Sequence, residues 1–291
     1  MADVVAELVS ILLPVWNGAA YLDESIQSIL RQTYENLELL IVDDFSDDST
    51  PEIIEKYKKI DSRVLYHRNS QNLRLPRSLN VGIKMSKGSW ITWTSDDNLM
   101  KPKHIETLVC NARLRKCSMV YSNFEVIDFE GELVGTSKVG EPSDLVSGNC
   151  VGASFLYKSE IHNLIGFYDE KAFMYEDYEM WVRMYLGGIS MAAFPEITYQ
   201  YRVHNHSLSS TRNLPIEYVE FRKSIINKWP IRHRELICNA KINFFQLAIK
   251  HNSFHYATFE LIDAIFLRPL FTARALFLGL IRKTKRLITK K

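Results

Sequence analysis

Three apolar runs, each cut short by polar residues, restrict this chain more than any other feature. Leu8-Val9-Ser10-Ile11-Leu12-Leu13-Pro14 is β-rich and closed by proline; Leu37-Glu38-Leu39-Leu40-Ile41-Val42 is broken by Asp43-Asp44-Phe45-Ser46; Ile91-Thr92-Trp93-Thr94 runs into Ser95-Asp96-Asp97-Asn98. Short apolar runs of this kind suit strands buried on both faces. Between them the spacing changes to that of a helix. Leu22, Ile26, Ile29 and Leu30 recur at helical intervals within Tyr21 to Gln32, and Pro51 to Lys59 resumes the pattern, with Ser49 or Thr50 as cap and Pro51 in the first turn. Val64-Leu65-Tyr66-His67 predicts a further strand, followed by a polar loop with Arg74 and Arg77, a helix from Ser78 to Met85, and Gly88 as its end. Strand alternating with helix implies βαβ units and a mostly parallel sheet, an α/β fold. Ligands bind beyond the carboxyl ends of such strands. The loops after Leu13, Val42 and Trp93 are therefore expected to line one crevice.

The residues ending these strands limit what the crevice can hold. Paired oxygens from Asp96 and Asp97 suit a hard divalent cation set against a diphosphate; an Asp/Asn-rich turn is the plainer reading of the same residues. Asp43-Asp44 poses the same choice. Neither GxGxxG nor GxxxxGK[ST] occurs, so a nucleotide bound here needs a cation and side chains to handle its phosphates. The 291 residues, 46% hydrophobic and 24% charged, fit one large α/β domain with a smaller appendage. Cys110, Cys117, Cys150 and Cys238 form no CxxC pair, which argues against a disulfide framework or a zinc site and fits reduced thiols in the cytoplasm. The start, Met1-Ala2-Asp3-Val4, carries no basic region before an apolar core, so no signal peptide is expected.

Farther along, Ser118 to Ile127 predicts another strand before the turn Phe129-Glu130-Gly131-Glu132, and Leu145 to Ala153 is a small-residue loop. Glu176-Asp177 stands just before an amphipathic segment holding Met180, Trp181, Met184 and Tyr185, where acidic residues would also complement a helix dipole. From Pro215 onward the pattern is helical. The net charge of +2 hides an asymmetry: no Asp or Glu follows Asp263, while residues 264 to 291 contain eight Lys or Arg. A tail so charged predicts a surface contact of its own, and the acidic body makes nucleic acid an unsuitable partner. Charges and Pro269 interrupt every apolar run there, so no transmembrane helix is expected. A basic amphipathic helix on an anionic leaflet is the sharper expectation for residues 264 to 291; a helix packed on the domain with a solvated tail is the plainer one.

Taken together, Val9 to Asn17, Gln27 to Tyr34, Ile41 to Ser46, Ser78-Leu79-Asn80-Val81-Gly82-Ile83, Trp93 to Asn98 and Met174 to Trp181 resemble family 2 glycosyltransferases in order and content. The likeness spans roughly residues 8 to 210. It implies a GT-A nucleotide-diphospho-sugar transferase fold, a Rossmann-like mostly parallel sheet with flanking helices, over residues 1 to 212, with a C-terminal helical extension over 213 to 291. By the resemblance, Pro14, Val15, Trp16 and Asn17 match the loop along nucleobase and ribose, and Asp44 matches the acceptor of the uracil imide hydrogen bond, with Asp43 bracing the loop. Arg74 and Arg77 stand where a cation reaches the diphosphate. Ser95 and Asp96 border the donor, and Asp97, Asp96 and His204 match a metal site for Mn2+ or Mg2+. Thr94 departs from the Asp-x-Asp-Asp pattern and leaves two carboxylates where three are usual. Asp177 matches the catalytic base, and Glu176 orients the loop or bonds the acceptor. His204 lies in a segment like the family's Tyr-Arg-x-His, and the loop around Gly148 to Gly152 borders the donor sugar.

The activity implied is transfer of a sugar, with inversion, from a UDP-sugar to a hydroxyl of a glycan or lipid-linked acceptor in bacterial surface polysaccharide synthesis. Absence of Gln-x-x-Arg-Trp points to one transfer per encounter. The expected location is the cytoplasm, peripheral on the inner face of the membrane. A sugar nucleotidyltransferase is the alternative enzyme, but it requires a glycine-rich N-terminal loop with Lys that the chain lacks. A non-catalytic nucleotide-sugar or glycan binder is the other, against which Asp97 and Asp177 both stand.

Overall fold

The computed structural model describes residues 6–205, 207 and 216–228, together with 237, 240 and 241. The expectations for residues 264 to 291 lie outside that range. Contacts divide the chain into two compact units: Met1–Pro142 with Cys150–Arg212, and Ser143–Asn149 with Asn213–Lys291. In the second, Leu145 and Val146 are buried and Arg222 of α7 (Ile216–Lys228) donates to the Ser147 carbonyl at 3.0 Å. The first unit carries the sheets.

Its first half is the alternation read from the sequence: β1 (Val9–Val15), α1 (Leu22–Leu30), β2 (Leu37–Asp43), α2 (Thr50–Ile60), β3 (Val64–Arg68), α3 (Leu75–Met85) and β4 (Trp90–Trp93). Every residue of β1 and β2 is buried, as double-sided packing requires. Each fully buried Ile, Leu or Val there stabilises the fold by about 1.5–3 kcal/mol. Polar residues inside these strands are satisfied locally. Ser10 Oγ donates to Glu38 Oε1 at 2.5 Å, which also accepts from Lys87 N at 2.7 Å. Gly88 closes the same cluster, its amide donating to Ser10 Oγ, and a Cβ there would stand 2.6 Å from Ser10 N.

Gly88 is therefore a close-approach residue, which corrects its reading as a helix end: α3 stops at Met85 with Ser86 as cap. Helix α3 also starts earlier than Ser78, because Pro76 fits a first turn, and this moves Arg77 from the loop into the helix. At the start of α2 neither expected cap acts as one. Ser49 makes no side-chain cap bond, and Asp48 Oδ1 takes the Thr50 amide at 3.0 Å.

The second half comprises β5 (Leu99–Met100), α4 (His104–Arg115), β6 (Met119–Ser122), β7 (Phe124–Ile127), β8 (Leu133–Ser137), β9 (Phe155–Lys158), α5 (Ile161–Ile165), α6 (Glu176–Leu186), β10 (Met191–Phe194) and β11 (Tyr199–Arg202). Among the described residues, seven strands form one sheet in the order β10-β6-β9-β4-β1-β2-β3, and β5-β11-β7-β8 form a smaller one. Only β9 runs against its neighbours β4 and β6 in the large sheet. Ser118 to Ile127 is not one strand: the chain leaves the large sheet at Asn123 and enters the small one. In register, Val15 faces Asp43 and Asp43 faces Arg68, while Leu12 faces Trp93. The carboxyl ends of β1 to β4 thus open on one side of the sheet.

Candidate active site

Backbone strain gathers at that side. Among the described residues, five non-glycine positions have positive φ, and four of them, Asn17, Phe45, Arg74 and Met174, lie in the loops after β1, β2 and β3 and just before α6. Such conformations cost of order 1 kcal/mol or more and persist where surroundings over-determine them. The surroundings here are hydrogen bonds. Asn17 N donates to Ser46 Oγ, and Asn17 Oδ1 accepts from Asp47 N, both at 2.9 Å. Gly18 N and Ala19 N donate to Thr50 Oγ1 and Asp48 Oδ2. The loops after β1 and β2 therefore form one latched unit, with Pro14 and Val15 still in β1. Its outward side chains are aromatic: Trp16 is 59% exposed and Phe45 50%.

Beneath them, both carboxylates at the end of β2 are buried and engaged. Asp43 accepts from Ser46 N, from Tyr66 Oη at 3.1 Å and from Arg68 Nη1 at 2.6 Å. Asp44 Oδ1 accepts from Leu73 N and Asn69 Nδ2, and its Oδ2 from Arg74 N at 2.8 Å. Each oxygen can accept about two bonds, so Asp44 Oδ2 keeps capacity for one more donor. Both residues brace loops, which the sequence reading reserved for Asp43. Arg74 stacks over Phe173, whereas Arg77 pairs with Glu170 at 2.8 Å on the surface.

The end of β4 carries the acidic pair, and its two members diverge. Asp96 packs under the β1 loop: a Cβ on Gly18 would lie 2.1 Å from Asp96 Oδ2, so any larger residue requires that carboxylate to move. Burial, reinforced by the Asp97 charge, pushes the Asp96 carboxyl up to about 7. Asp97 Oδ2 meets His204 Nε2 at 3.0 Å, while Asp97 Oδ1 is buried without a hydrogen-bond partner. Burial raises the Asp97 pKa and the His204 contact opposes that rise.

Arg202 fixes this arrangement from behind. Its Nε donates to the Asp97 carbonyl, its amide to Asn98 Oδ1, and its Nη2 to Glu24 Oε2 at 2.6 Å. The guanidinium lies over the Tyr21 ring, which also packs on His204. Tyr21 and Glu24 were not among the residues singled out from the sequence; a polar and aromatic first turn of α1 gives no local sign of a partner so far along the chain. Thr94 is also accounted for: it is 1% exposed, and its Oγ1 lies 2.7 Å from Tyr199 Oη. Ser95 serves through its carbonyl, which accepts from Ser25 Oγ.

Asp177 and Glu176 open α6, directly after strained Met174. Tyr178 N donates to Asp177 Oδ1 at 2.6 Å. Glu176 is buried, its Oε2 lacks a hydrogen-bond partner, and burial together with the Asp177 charge pushes its carboxyl up to about 8. The Tyr168 phenol links this region to β4: it accepts from Trp93 Nε1 at 2.9 Å and feels the Asp177 charge. Gly152, by contrast, is packed against Phe124.

Among the described residues, no group of three or more His, Cys, Asp and Glu side chains is gathered to enclose a metal ion. The pair that comes nearest in chemistry, Asp97 with His204, offers a carboxylate oxygen and an imidazole nitrogen, both suited to divalent ions. The orphaned Asp97 Oδ1 fits a cation as its missing partner, because a buried anionic acceptor is costly when left alone.

The mostly parallel sheet with its flanking helices has the GT-A fold. The amino-terminal 349 residues of S. aureus TarS, solved in complex with UDP-GlcNAc, superpose with a TM-score of 0.68 at 16% identity, covering 89% of this chain and 81% of that one. The same TarS segment in complex with UDP gives 0.58 at 17% identity, with 88% of each chain covered. The family model for glycosyl transferase family 2 matches residues 10–175. An uncharacterized glycosyltransferase of Rickettsia typhi is 31% identical over 225 residues, 73% of this chain and 69% of the relative. One from Haemophilus influenzae is 30% identical over 222 residues, 71% and 68% of the two chains. The chain belongs to glycosyl transferase family 2.

Proposed function

We propose that this enzyme transfers a sugar from a UDP-sugar to a hydroxyl of a glycan or lipid-linked acceptor, inverting the anomeric configuration. The observation that carries the reading is a pair of carboxylates, each with one buried oxygen that lacks a hydrogen-bond partner: Asp97 Oδ1 at the end of β4 and Glu176 Oε2 at the start of α6. An orphaned buried polar group costs about 1–3 kcal/mol, a cost that a ligand supplying the missing partner would offset.

The UDP moiety is assigned to the latched loops after β1 and β2. Trp16 supplies an apolar face, and the spare acceptor capacity of Asp44 Oδ2 suits an imide N–H. TarS, of like fold, is described in complex with UDP-GlcNAc and with UDP. Arg74 stands at the α3 start beside this loop. Asp97, with Asp96 and His204 next to it, would hold Mn2+ or Mg2+, which neutralises charge on a departing diphosphate when bound.

Asp177 is the base. Its carboxylate takes the proton of the acceptor hydroxyl while that oxygen forms its bond to the anomeric carbon and the bond to the diphosphate oxygen breaks. Attack from the face opposite the diphosphate inverts the centre in one displacement, and no covalent nucleophile is needed. Glu176, held neutral by burial, can donate a hydrogen bond to an acceptor oxygen. Among the described residues no helix is long and apolar enough to cross a membrane; the basic tail is assigned to an anionic membrane surface, where a lipid-linked acceptor of surface polysaccharide synthesis would be met.

Replacing Asp177 by Asn tests the chemistry. UDP release from a UDP-sugar donor in the presence of manganese should fall by at least about a thousandfold, within the range general base catalysis supplies, while UDP binding stays nearly intact. Turnover that survives would remove Asp177 from its role. A panel of UDP-, GDP- and dTDP-sugars read by thermal shift tests the base assignment, and a preference for GDP or dTDP would overturn the role of Asp44.

A further inference from the structure

The start of helix α1 does not account for Tyr21. It is the N-cap residue, a place that favours Ser, Thr, Asp or Asn, and its side chain makes no cap bond. Its backbone is held on both sides: the amide donates to the Gly18 carbonyl at 3.2 Å, and the carbonyl accepts from Ser25 N at 3.1 Å. The ring is used elsewhere. The Arg202 guanidinium lies over it, 4.6 Å from the centroid, and the His204 imidazole packs on it with centroids 5.3 Å apart and planes tilted by 35°.

Arg202 is a rigid support for that ring. It is buried, and its N–H groups donate within the guanidinium plane to the Asp97 carbonyl at 2.9 Å, to Glu24 Oε2 at 2.6 Å and to the carbonyls of Asp128 and Phe129 at 3.4 and 3.3 Å. Those bonds occupy the edge of the group and leave a face to be packed, which Tyr21 covers. Glu24 follows Tyr21 by three residues and so lies on the same side of the helix. One turn of chain thus meets both the edge and the face of one cation. The contacts close a circuit on Asp97. Arg202 holds its carbonyl, Tyr21 joins Arg202 to His204, and His204 Nε2 returns to its carboxylate at Oδ2, 3.0 Å away. A single hydrogen bond sets a distance and does not stop an imidazole from turning about it. A flat partner against the ring does.

We propose that Tyr21 is a positioning residue for Asp97: by packing on both Arg202 and His204 it fixes the imidazole against Asp97 Oδ2, and thereby fixes where Asp97 Oδ1 points. Its consequence for the reaction rests on Asp97 as the metal ligand. An aliphatic side chain at this position fills space but gives the guanidinium no π-face and the imidazole no flat partner. His204 is then oriented by its bond to Asp97 alone, and the carboxylate loses its bracing.

The test is a double-mutant cycle in the full-length protein, read by isothermal titration of UDP with and without manganese. Tyr21→Leu should cut the manganese-dependent gain in UDP affinity by about threefold or more, with the affinity measured without manganese near wild type. Tyr21→Phe keeps the ring and should restore the gain. In a His204→Ala background Tyr21→Leu should cause no further loss, because the group it acts through is already gone. Tyr21→Met takes the place of Tyr21→Leu if that variant does not fold. A purely structural role would weaken UDP binding equally with and without manganese, and that result overturns the proposal. So does a wild-type gain in Tyr21→Leu, or the same loss whether or not His204 is present.

A metal-free measurement separates this from the metal assignment. A carboxylate only accepts, so His204 Nε2 carries the proton given to Asp97. Long-range 1H–15N spectra of the imidazole, assigned with His204→Ala, should show that single tautomer in the wild type and in Tyr21→Phe, and a tautomer average in Tyr21→Leu. If Asp97→Asn and His204→Ala leave the manganese response at its wild-type level, the metal assignment fails and the spectra decide the positioning: an unmoved His204 signal in Tyr21→Leu overturns it.

Discussion

His204 Nε2 lies 3.0 Å from Asp97 Oδ2, across 107 residues of chain, while the other oxygen of that carboxylate is buried without a partner. One half of Asp97 is therefore held in place and the other half lacks a donor. Arg202, two residues before His204, grips the Asp97 carbonyl, so β11 and the end of β4 position the carboxylate together.

With Asp97 as the proposed metal ligand, this half-satisfied carboxylate predicts a metal-linked loss on substitution. In Asp97→Asn, the strengthening of UDP binding by manganese should drop at least about tenfold, roughly 1.4 kcal/mol. His204→Ala should produce a smaller loss in the same direction, since it removes the group that orients the ligand. Isothermal titration with UDP, with and without manganese, measures both. Equal responses in wild type and Asp97→Asn would remove Asp97 from the metal site.

Thr94 should contribute to stability and not to metal binding. Its hydroxyl is spent on Tyr199 Oη at 2.7 Å in a fully buried setting. Thr94→Val is expected to cost about 1 kcal/mol in urea unfolding, the usual net worth of one such bond. The manganese response should remain as in wild type. A selective loss of that response would mean the hydroxyl serves the cation.

Gly18 is the most size-restricted position of the site. A methyl added there would meet Asp96 Oδ2 at 2.1 Å and Val15 Cγ2 at 2.6 Å. Gly18→Ala should displace Asp96 or the β1 loop, costing about 1–3 kcal/mol of stability. UDP affinity should weaken by about tenfold or more. Wild-type affinity together with wild-type stability would show that the loop yields freely.

Glu176 predicts a pH dependence of stability. Burial and the neighbouring Asp177 charge push its folded carboxyl up to about 8, from an ordinary value of 4.5. Below about 4.5 both folded and unfolded forms are neutral and the full stability is present. Between there and about 8 the unfolded state gives up a proton that the folded state keeps, so stability falls as pH rises, by at most about 1.4 kcal/mol per pH unit. Above 8 the folded group ionises too and the fall levels off. Glu176→Gln removes this dependence, so its stability relative to wild type should grow from pH 4.5 to 8. Parallel denaturation curves for the two proteins across that range would contradict the burial of a neutral carboxyl.

Much of the fold was legible in the sequence because its signals are local. Apolar runs ending in Pro14, Asp43 and Asp96 mark strands and their carboxyl ends, and helical spacing between them leaves a parallel sheet as the economical arrangement. The failures were also local in origin. A window over Ser118 to Ile127 sees one apolar stretch and has no means of noticing that Asn123 hands the chain to another sheet. Gly88 reads as a helix end because nothing nearby reveals that Ser10, 78 residues away, leaves no room for a Cβ.

The sequence by itself determined an α/β chain of family 2 type, with acidic and aromatic residues at the mouths of its central strands, because burial periodicity and strand-ending residues are written in consecutive positions. Only the tertiary structure decided how those residues are used. Thr94 is turned to Tyr199, Arg77 to Glu170, Asp44 to the backbone amides of Leu73 and Arg74, and one oxygen of Asp97 to His204. The reason is that a hydrogen bond is a matter of distance and direction in space. Which lone pair stays open to a ligand depends on donors brought from elsewhere in the chain.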